Sequence, residues 1–376
     1  MDSLRILLLP FSIVYGAFVL LYHLLYNIGL LPSKKFDIPV ISIGNLTVGG
    51  TGKTPHVEYI LRNLAAEGVA KGSELATLSR GYGRVTSGFR LADDESSSSE
   101  IGDEPRQMKQ KFGEIHVAVD ESRVHGVNKL LKLAPDLKVI VLDDAFQHRA
   151  ISPGLSILLE DYFALDKTDF MLPAGNLREP KIGAKRADII VVTNSPKLLS
   201  PLERRRIDAR IKLKPKQKLF FSYVEYGDLV PAFANMAQKN NSTETPLMVN
   251  KSFYFERDYS ILLLTGIAHT YPLIEYYKGN ISELIHMKYD DHHEYTKEDV
   301  ENILEKFDNI VNENKIILTT EKDAMRLAIP GVFKALVKLP IFYIPITINF
   351  HDEDGVEFKK EIINYVEKNQ IYSRVH

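Results

Sequence analysis

Apolar positions along this chain follow two periods, and the switches between them mark where strands give way to helices. The run Ile38–Ile43 is short and nearly continuous, as a strand buried on both faces requires. It leads into Gly44-Asn-Leu-Thr-Val-Gly-Gly-Thr-Gly-Lys-Thr-Pro55. Beyond that stretch Val57, Ile60, Leu61 and Leu64 recur at i, i+3, i+4 and i+7, one face of a helix. Pro55 falls in its first turn, where a missing N–H is tolerated. Further apolar runs follow at Leu75–Leu78, His116–Val119, Val139–Leu142, Leu155–Leu159 and Ile189–Val192, separated by helix-like segments. Such alternation predicts an α/β architecture, a parallel sheet covered by helices on both faces, with functional groups beyond the carboxyl ends of its strands.

The C-terminal part restarts the pattern. A strand is expected at Ile261–Leu264, helices near Tyr271–Tyr277 and over Thr296–Phe307, strands at Lys315–Leu318 and Phe342–Ile346, and a last helix. Thr296 and Asp299 form a capping pattern above the buried face Val300, Ile303, Leu304 and Phe307. Pro345 makes the last strand a short or edge one. A chain of 376 residues exceeds the usual domain of about 100–200 residues, so two globular parts are expected. An extended segment near Lys218–Tyr226 runs into the polar stretch Gln238–Thr245, which places a boundary there. The expected organisation is a membrane-associated helix over 1–36, an α/β/α domain over 37–222, and a smaller α/β domain with linker strands over 223–376. Asp93–Asp103, with four serines and many acids, is predicted to be a mobile loop.

From Ile6 to Leu31 there is no Asp, Glu, Lys or Arg, a run longer than the roughly 20 residues a bilayer core requires and too long for a signal-peptide core. Ser12, Tyr15, Tyr22 and Tyr26 share one stripe of this helix, with His23 beside it. Two readings stay open: an ordinary spanning anchor, or a helix that lies in the interface or docks on its own domain.

Charge and composition narrow the chemistry. Net charge is −2, from 47 basic and 49 acidic residues, so no overall field favours nucleic acid as a partner. Cysteine is absent, which excludes disulfides, thiolate metal sites and cysteine nucleophiles. What remains is the strand–loop–helix around Gly44–Pro55. It fits the phosphate-loop pattern G-x-x-x-x-G-K-[ST] except that Thr47 holds the first position. Thr47, Val48, Gly49, Gly50, Thr51, Gly52, Lys53 and Thr54 are the candidate cradle for nucleotide phosphates. The glycines let the backbone approach, Lys53 supplies a point charge, and Thr54 offers a hydroxyl to Mg²⁺. Asp143 and Asp144 end the strand Val139–Leu142, the Walker-B position for holding Mg²⁺ or its water. Ser79–Arg84 is a basic, glycine-rich loop, and Leu172–Pro180 reads as a rigid turn carrying Arg178 and Glu179.

Taken together, Gly44–Pro55, Ser79-Arg-Gly-Tyr82, Gly102-Asp-Glu-Pro105, Asp143-Asp144 with Phe146-Gln-His-Arg149, Leu172–Pro180, Asp291-His292-His293 and Thr320-Glu-Lys-Asp323 closely resemble the tetraacyldisaccharide 4′-kinase family. The likeness runs over nearly the whole chain. It implies a Mg²⁺–ATP-dependent kinase at the cytoplasmic face of the bacterial inner membrane, and a monomer is expected. That enzyme would phosphorylate the 4′-hydroxyl of a tetraacylated glucosamine disaccharide 1-phosphate in lipid A synthesis. It also implies two α/β/α parts, with Lys53 and Thr54 serving ATP and Mg²⁺, Asp143 and Asp144 forming the acidic site, and Asp103 with His292 acting on the acceptor hydroxyl. Arg80, Arg123, Arg178 and Glu179 match positions near substrate or phosphates.

Two rival readings have distinct signatures. A membrane-tethered GTPase or ATPase switch would need a base-reading motif, and Thr193-Asn194-Ser195-Pro196 ends its strand without the Asn-Lys-x-Asp of guanine readers. A kinase for a soluble sugar would use the N-terminal helix merely as an anchor and phosphorylate a deacylated acceptor equally well.

Overall fold

The computed structural model describes residues 3–167, 169–233, 258–267, 270–291, 293–328 and 330–373. His292 and the polar stretch Gln238–Thr245 lie outside them. In chain order the first elements are α1 (Leu9–Asn27), β1 (Val40–Asn45), α2 (Lys53–Ala66), β2 (Leu75–Ser79), β3 (Arg90–Leu91), α3 (Ser98–Ile101) and α4 (Asp103–Lys111). Next come β4 (His116–Val119), α5 (Arg123–Leu133), β5 (Val139–Leu142), β6 (Leu155–Asp161), β7 (Ile189–Thr193), α6 (Pro201–Ile211), β8 (Lys218–Tyr226) and β9 (Val230–Pro231). The remainder is β10 (Ser260–Thr265), α7 (Tyr271–Tyr277), β11 (Glu283–Lys288), α8 (Lys297–Asp308), β12 (Lys315–Thr320), α9 (Glu321–Leu327), α10 (Pro330–Leu336), β13 (Ile341–Ile344), β14 (Ile346–Phe350) and α11 (Asp354–Ser373).

The chain divides into two units, Met1–Val224 with Ile348–His376, and Glu225–Thr347. This differs from the boundary expected at 223–376, because the C-terminal strand and helix return to the first unit. The reason is apolar packing: Phe358, Ile362 and Val366 of α11 are buried in one cluster with Ile41 and Ile43 of β1 and Val57, Ile60, Leu61 and Leu64 of α2. Pro345 separates β13 from β14, so the single strand expected over Phe342–Ile346 is two strands in different sheets.

Unit 1 carries a nine-stranded sheet in the order β14-β8-β7-β6-β1-β5-β2-β4-β3. β1 runs parallel to both β5 and β6, β2 to β4 and β5, and β7 to β6 and β8, while β3 lies antiparallel on β4. Alternation along the strands fills both faces. Ile41, Ile43, Val139 and Val141 point to the α2–α11 side, while Val40, Ile140 and Leu142 join Val127 and Leu130 of α5 on the other. The four predicted α2 positions are fully buried, each worth about 1.5–3 kcal/mol relative to exposure. Strand order turns at β1, between β6 and β5, and in open α/β sheets the crevice beyond such a turning point is where ligands bind.

Unit 2 has a five-stranded sheet, β11-β10-β12-β13-β9, parallel except for β9. The Thr296–Asp299 capping box is present, and Val300, Ile303 and Phe307 are buried as the periodicity predicts. The serine tract is not a loose loop. Ser97 and Glu100 form a reciprocal capping box on α3, and the backbone carbonyls of Ser99 and Glu100 accept from Val85 N–H and Thr86 Oγ1. Its acidity masked an S-x-x-E helix start.

Candidate active site

β1 ends at Asn45, and the chain turns through residues 46–52 before entering α2. Gly49 and Gly52 take φ of 108° and 80°, conformations that a Cβ resists. Gly52 caps a helix of 14 residues, so the free N–H groups and dipole of α2 face the loop. Gly44 is required for another reason: a Cβ there would stand 2.7 Å from Phe146 Cβ. The absence of a side chain lets the phosphate-loop strand and the acidic segment after β5 touch.

In that acidic segment Asp143 is buried and Asp144 half-buried, the latter at φ 49°, a left-handed geometry costing a non-glycine residue roughly 1–2 kcal/mol. Arg123, itself buried at the start of α5, braces the turn. It donates to the carbonyls of Asp120 at 2.8 Å and of Asp143 and Asp144 at 3.2 Å each. The Leu172–Pro180 loop is drawn to the same edge by backbone pairing. Val48 N–H donates to Asn176 O and Arg178 N–H to Leu46 O, both at 2.8 Å, and Thr47 bridges Leu177. Arg178 therefore reaches both carboxylate oxygens of Asp144, at 2.8 and 2.9 Å. Lys53 Nζ lies 3.7 Å from Asp144 Oδ1 and 3.3 Å from Asn45 Oδ1.

The two acids have opposite electrostatics. Burial works against the charge on Asp144, but Lys53 and Arg178 outweigh it and hold its carboxyl below the ordinary value. Asp143 is pushed up from 3.8 to about 7, first by burial and then by the charge of Asp144. Its Oδ1 is buried without a partner, as are Asn45 Nδ2, Thr51 Oγ1 and Arg123 Nε. Each such atom costs about 1–3 kcal/mol, so four around one sheet edge point to a polar ligand that satisfies them. A carboxylate oxygen suits a hard dication, and an ion beside Asp143 would relieve its penalty, so this donor fits Mg²⁺. Among the described residues no three His, Asp or Glu side chains form a metal cluster.

Asp103 opens α4 after Gly102, whose φ is 94° and whose Cβ would stand 2.9 Å from Tyr82 O. The Gly102-Asp-Glu-Pro105 turn thus packs under the Ser79–Arg84 loop. Glu104 and Asp143 line one small cavity with Thr77 and Ser79, and the Glu104 charge adds to the upward push on Asp143. Arg80 is exposed, and its charge, after burial and Arg123, helps lower His148 to about 4. Glu179 does not face solvent. It is wholly buried, and its oxygens take His23, Arg186 and Gln147. His293 is packed, stacked on Tyr289 and bonded to Asp299 at 2.9 Å.

The edge of the sheet therefore gathers Thr47–Thr54, Asp143, Asp144, Arg123 and Arg178. Asn45 and Gln147 belong to this edge and were missed as site residues, although a polar residue closing a buried strand was the available signal for Asn45. Gln147 donates to Asn45 O at 2.7 Å and to Glu179 at 2.8 Å.

Residues 4–365 match the family described as LpxK, tetraacyldisaccharide-1-P 4′-kinase. The chain belongs to this family. It is 42% identical to the tetraacyldisaccharide 4′-kinase of Phocaeicola vulgatus over 96% of this chain and 95% of that one. With the enzyme of the same name from Flavobacterium johnsoniae it shares 41% over 98% and 99%. Among solved structures, that of the "apo" form of LpxK from Aquifex aeolicus in complex with ATP superposes with a TM-score of 0.69 at 28% identity, covering 97% of this kinase and 99% of that chain. The α/β architecture expected from the hydrophobic pattern is shared with that ATP-bound relative.

Proposed function

We propose that this kinase transfers the γ-phosphate of ATP to the 4′-hydroxyl of a tetraacylated glucosamine disaccharide 1-phosphate, giving lipid IVA in lipid A biosynthesis, at the carboxyl edge of the unit 1 sheet. The observation that carries the site is the convergence of Lys53 and Arg178 on Asp144 beside the buried, unpartnered Asp143. Residues Thr47–Thr54 cradle the phosphates, and Lys53 and Arg178 exchange Asp144 for phosphate oxygens when nucleotide enters. Thr54 and Asp143, with Asp144 adjoining, would hold Mg²⁺, whose charge neutralises the β- and γ-phosphates when bound. Arg123 acts through the backbone, fixing the turn that presents both acids. Arg80, exposed at the loop rim, meets substrate phosphate.

A sugar hydroxyl is a poor nucleophile, so a carboxylate must take its proton as the bond to phosphorus forms. Asp103 has that role, and His292 is the second residue proposed to act on the acceptor hydroxyl. Helix α1 supports a membrane setting. Arg5–Asn27 is long and apolar enough to span a bilayer, yet Ser12 and His23 are buried against unit 1 while Phe11, Ile13, Val14, Phe18 and Leu21 are exposed. A helix docked by its polar stripe lies along the surface with its apolar face in the lipid. ATP supply puts that surface on the cytoplasmic side of the inner membrane, where the chain works as a monomer and contacts no nucleic acid.

Incubating the purified protein with labelled ATP and either the tetraacyldisaccharide 1-phosphate or its deacylated form tests the reading. Label on the acylated acceptor, absent without Mg²⁺, is expected. Equal labelling of the deacylated acceptor would shift the assignment to a soluble-sugar kinase.

A further inference from the structure

The polar stripe of α1 does more than seat a helix. Ser12, Tyr15, Gly16 and His23 fall on one face, and each meets the segment that carries Arg178. Ala174 N–H donates to Ser12 Oγ at 2.9 Å, Tyr15 O–H donates to the Arg178 carbonyl at 2.9 Å, and Gly16 lies beside Met171. His23 Nε2 stands 2.9 Å from Glu179 Oε2. Glu179 has no exposed surface, and Arg186 at 2.7 Å and Gln147 at 2.8 Å take up its other bonding capacity. Arg149 ties the far end, donating to Asn27 Oδ1 at 3.0 Å.

Arg178 and Glu179 are adjacent, so their side chains leave the backbone in different directions. One clasps Asp144 and the other is sunk into the bonds from His23, Arg186 and Gln147. Tyr15 holds the peptide unit that joins the two residues. We propose that His23, assisted by Tyr15, is a positioning residue for phosphoryl transfer: the lipid-facing helix fixes the Arg178–Glu179 dipeptide and thereby aims the Arg178 guanidinium at the acidic site. This rests on the reading of Asp144 and Arg178 as phosphate-site residues. It assigns α1 a share in the chemical step that an anchor alone would not have.

The test uses the full chain in two assays, turnover in detergent micelles at saturating ATP and acceptor, and partition to vesicles of phosphatidylethanolamine and phosphatidylglycerol. His23→Ala removes a hydrogen bond to a buried carboxylate and should lower kcat about ten- to a hundredfold with partition unchanged. His23→Gln, which keeps an N–H donor, should recover most of that loss. Tyr15→Phe, a milder change that spares the fold, should lower kcat severalfold. If His23→Ala turns over like the parent while Asp144→Ala is inactive, the positioning role is wrong. A fall in partition that matches the fall in turnover would likewise reduce α1 to an anchor. Full turnover in Asp144→Ala would overturn the site reading itself.

Discussion

Asp143 offers a measurement in which stability and activity move in opposite directions. Its carboxyl is pushed from 3.8 to about 7 by burial first and the Asp144 charge second, and no partner meets Oδ1. Between these two values the folded protein keeps a proton that the unfolded chain has released, so folding stability falls as pH rises from about 4 to about 7 and is flat above. At about 1.4 kcal/mol per unit, three units amount to on the order of 4 kcal/mol in the metal-free protein, an upper value because relaxation and water relieve part of it. Asp143→Asn removes the charge while keeping the shape. It still buries an unpaired amide, which costs about 1–3 kcal/mol at every pH, so the variant gains about 1–3 kcal/mol above pH 7 and is the less stable protein near pH 4. Thermal unfolding in EDTA without nucleotide, from pH 4.5 to 8, is the assay. The variant's midpoint should climb above the parent's by about 2–4 °C per kcal/mol as pH increases, while kinase activity is lost. Adding Mg²⁺ with a non-hydrolysable nucleotide should stabilise the parent more than the variant. A difference in midpoint that stays constant across the pH range would refute the raised Asp143 carboxyl and the cation-site argument built on it.

Other expectations follow from the same geometry. Lys53→Ala should lower turnover about 10²–10³-fold with little change in unfolding midpoint, since its ammonium meets Asn45 and Asp144 at the mouth of the loop; unchanged turnover at saturating Mg–ATP would remove it from the phosphate site. Arg123→Met should cost about 2–4 kcal/mol in chemical denaturation along with activity, because three backbone carbonyls lose their donor. Loss of activity with stability intact would instead make Arg123 a substrate contact. His56, buried between Gly52 O at 2.7 Å and Ser222 Oγ at 3.0 Å, is lowered by burial to about 4 and stays neutral at working pH. Its contribution is present above about 6.5 and lost as pH falls through 4, so the parent should lose stability faster than His56→Phe over that range, and the variant should bind ATP more weakly; parallel pH curves would argue against it. Asp103→Ala and His292→Ala should each cut kcat strongly at unchanged ATP affinity, with the double variant scarcely worse, whereas multiplicative losses would separate the pair.

How much of this was legible in the sequence depends on the distance over which each feature is decided. The period of apolar residues located β2, β4, β5, β6, β7 and α2 to within a residue or two, because both faces of the sheet are buried and the strands have no polar alternation to confuse them. It missed β11, whose Glu283-Leu-Ile-His-Met-Lys288 mixes polar and apolar side chains as an edge strand does. The strand–turn–helix around Gly44–Pro55 and the position of Asp143-Asp144 at a strand end were readable because these features are contiguous in the chain. The pairing of Arg178 with Asp144 was not. Its placement is set by Val48 and Leu46 bonding Asn176 and Arg178 across more than a hundred residues, and no local rule records that pairing. Glu179 shows the same limit from the opposite side: a charged residue in a turn reads as a surface ligand, and only the tertiary contacts reveal a carboxylate with no exposed surface whose oxygens serve a histidine from the N-terminal helix. Ser12, Tyr15 and His23 look like impurities in a membrane segment when the helix is considered alone. Once docked they account for why the segment is not uniformly apolar: in the proposed interfacial setting, a helix that grips unit 1 along one stripe needs polar groups there, three and eight positions apart, and a clean spanning helix would need none.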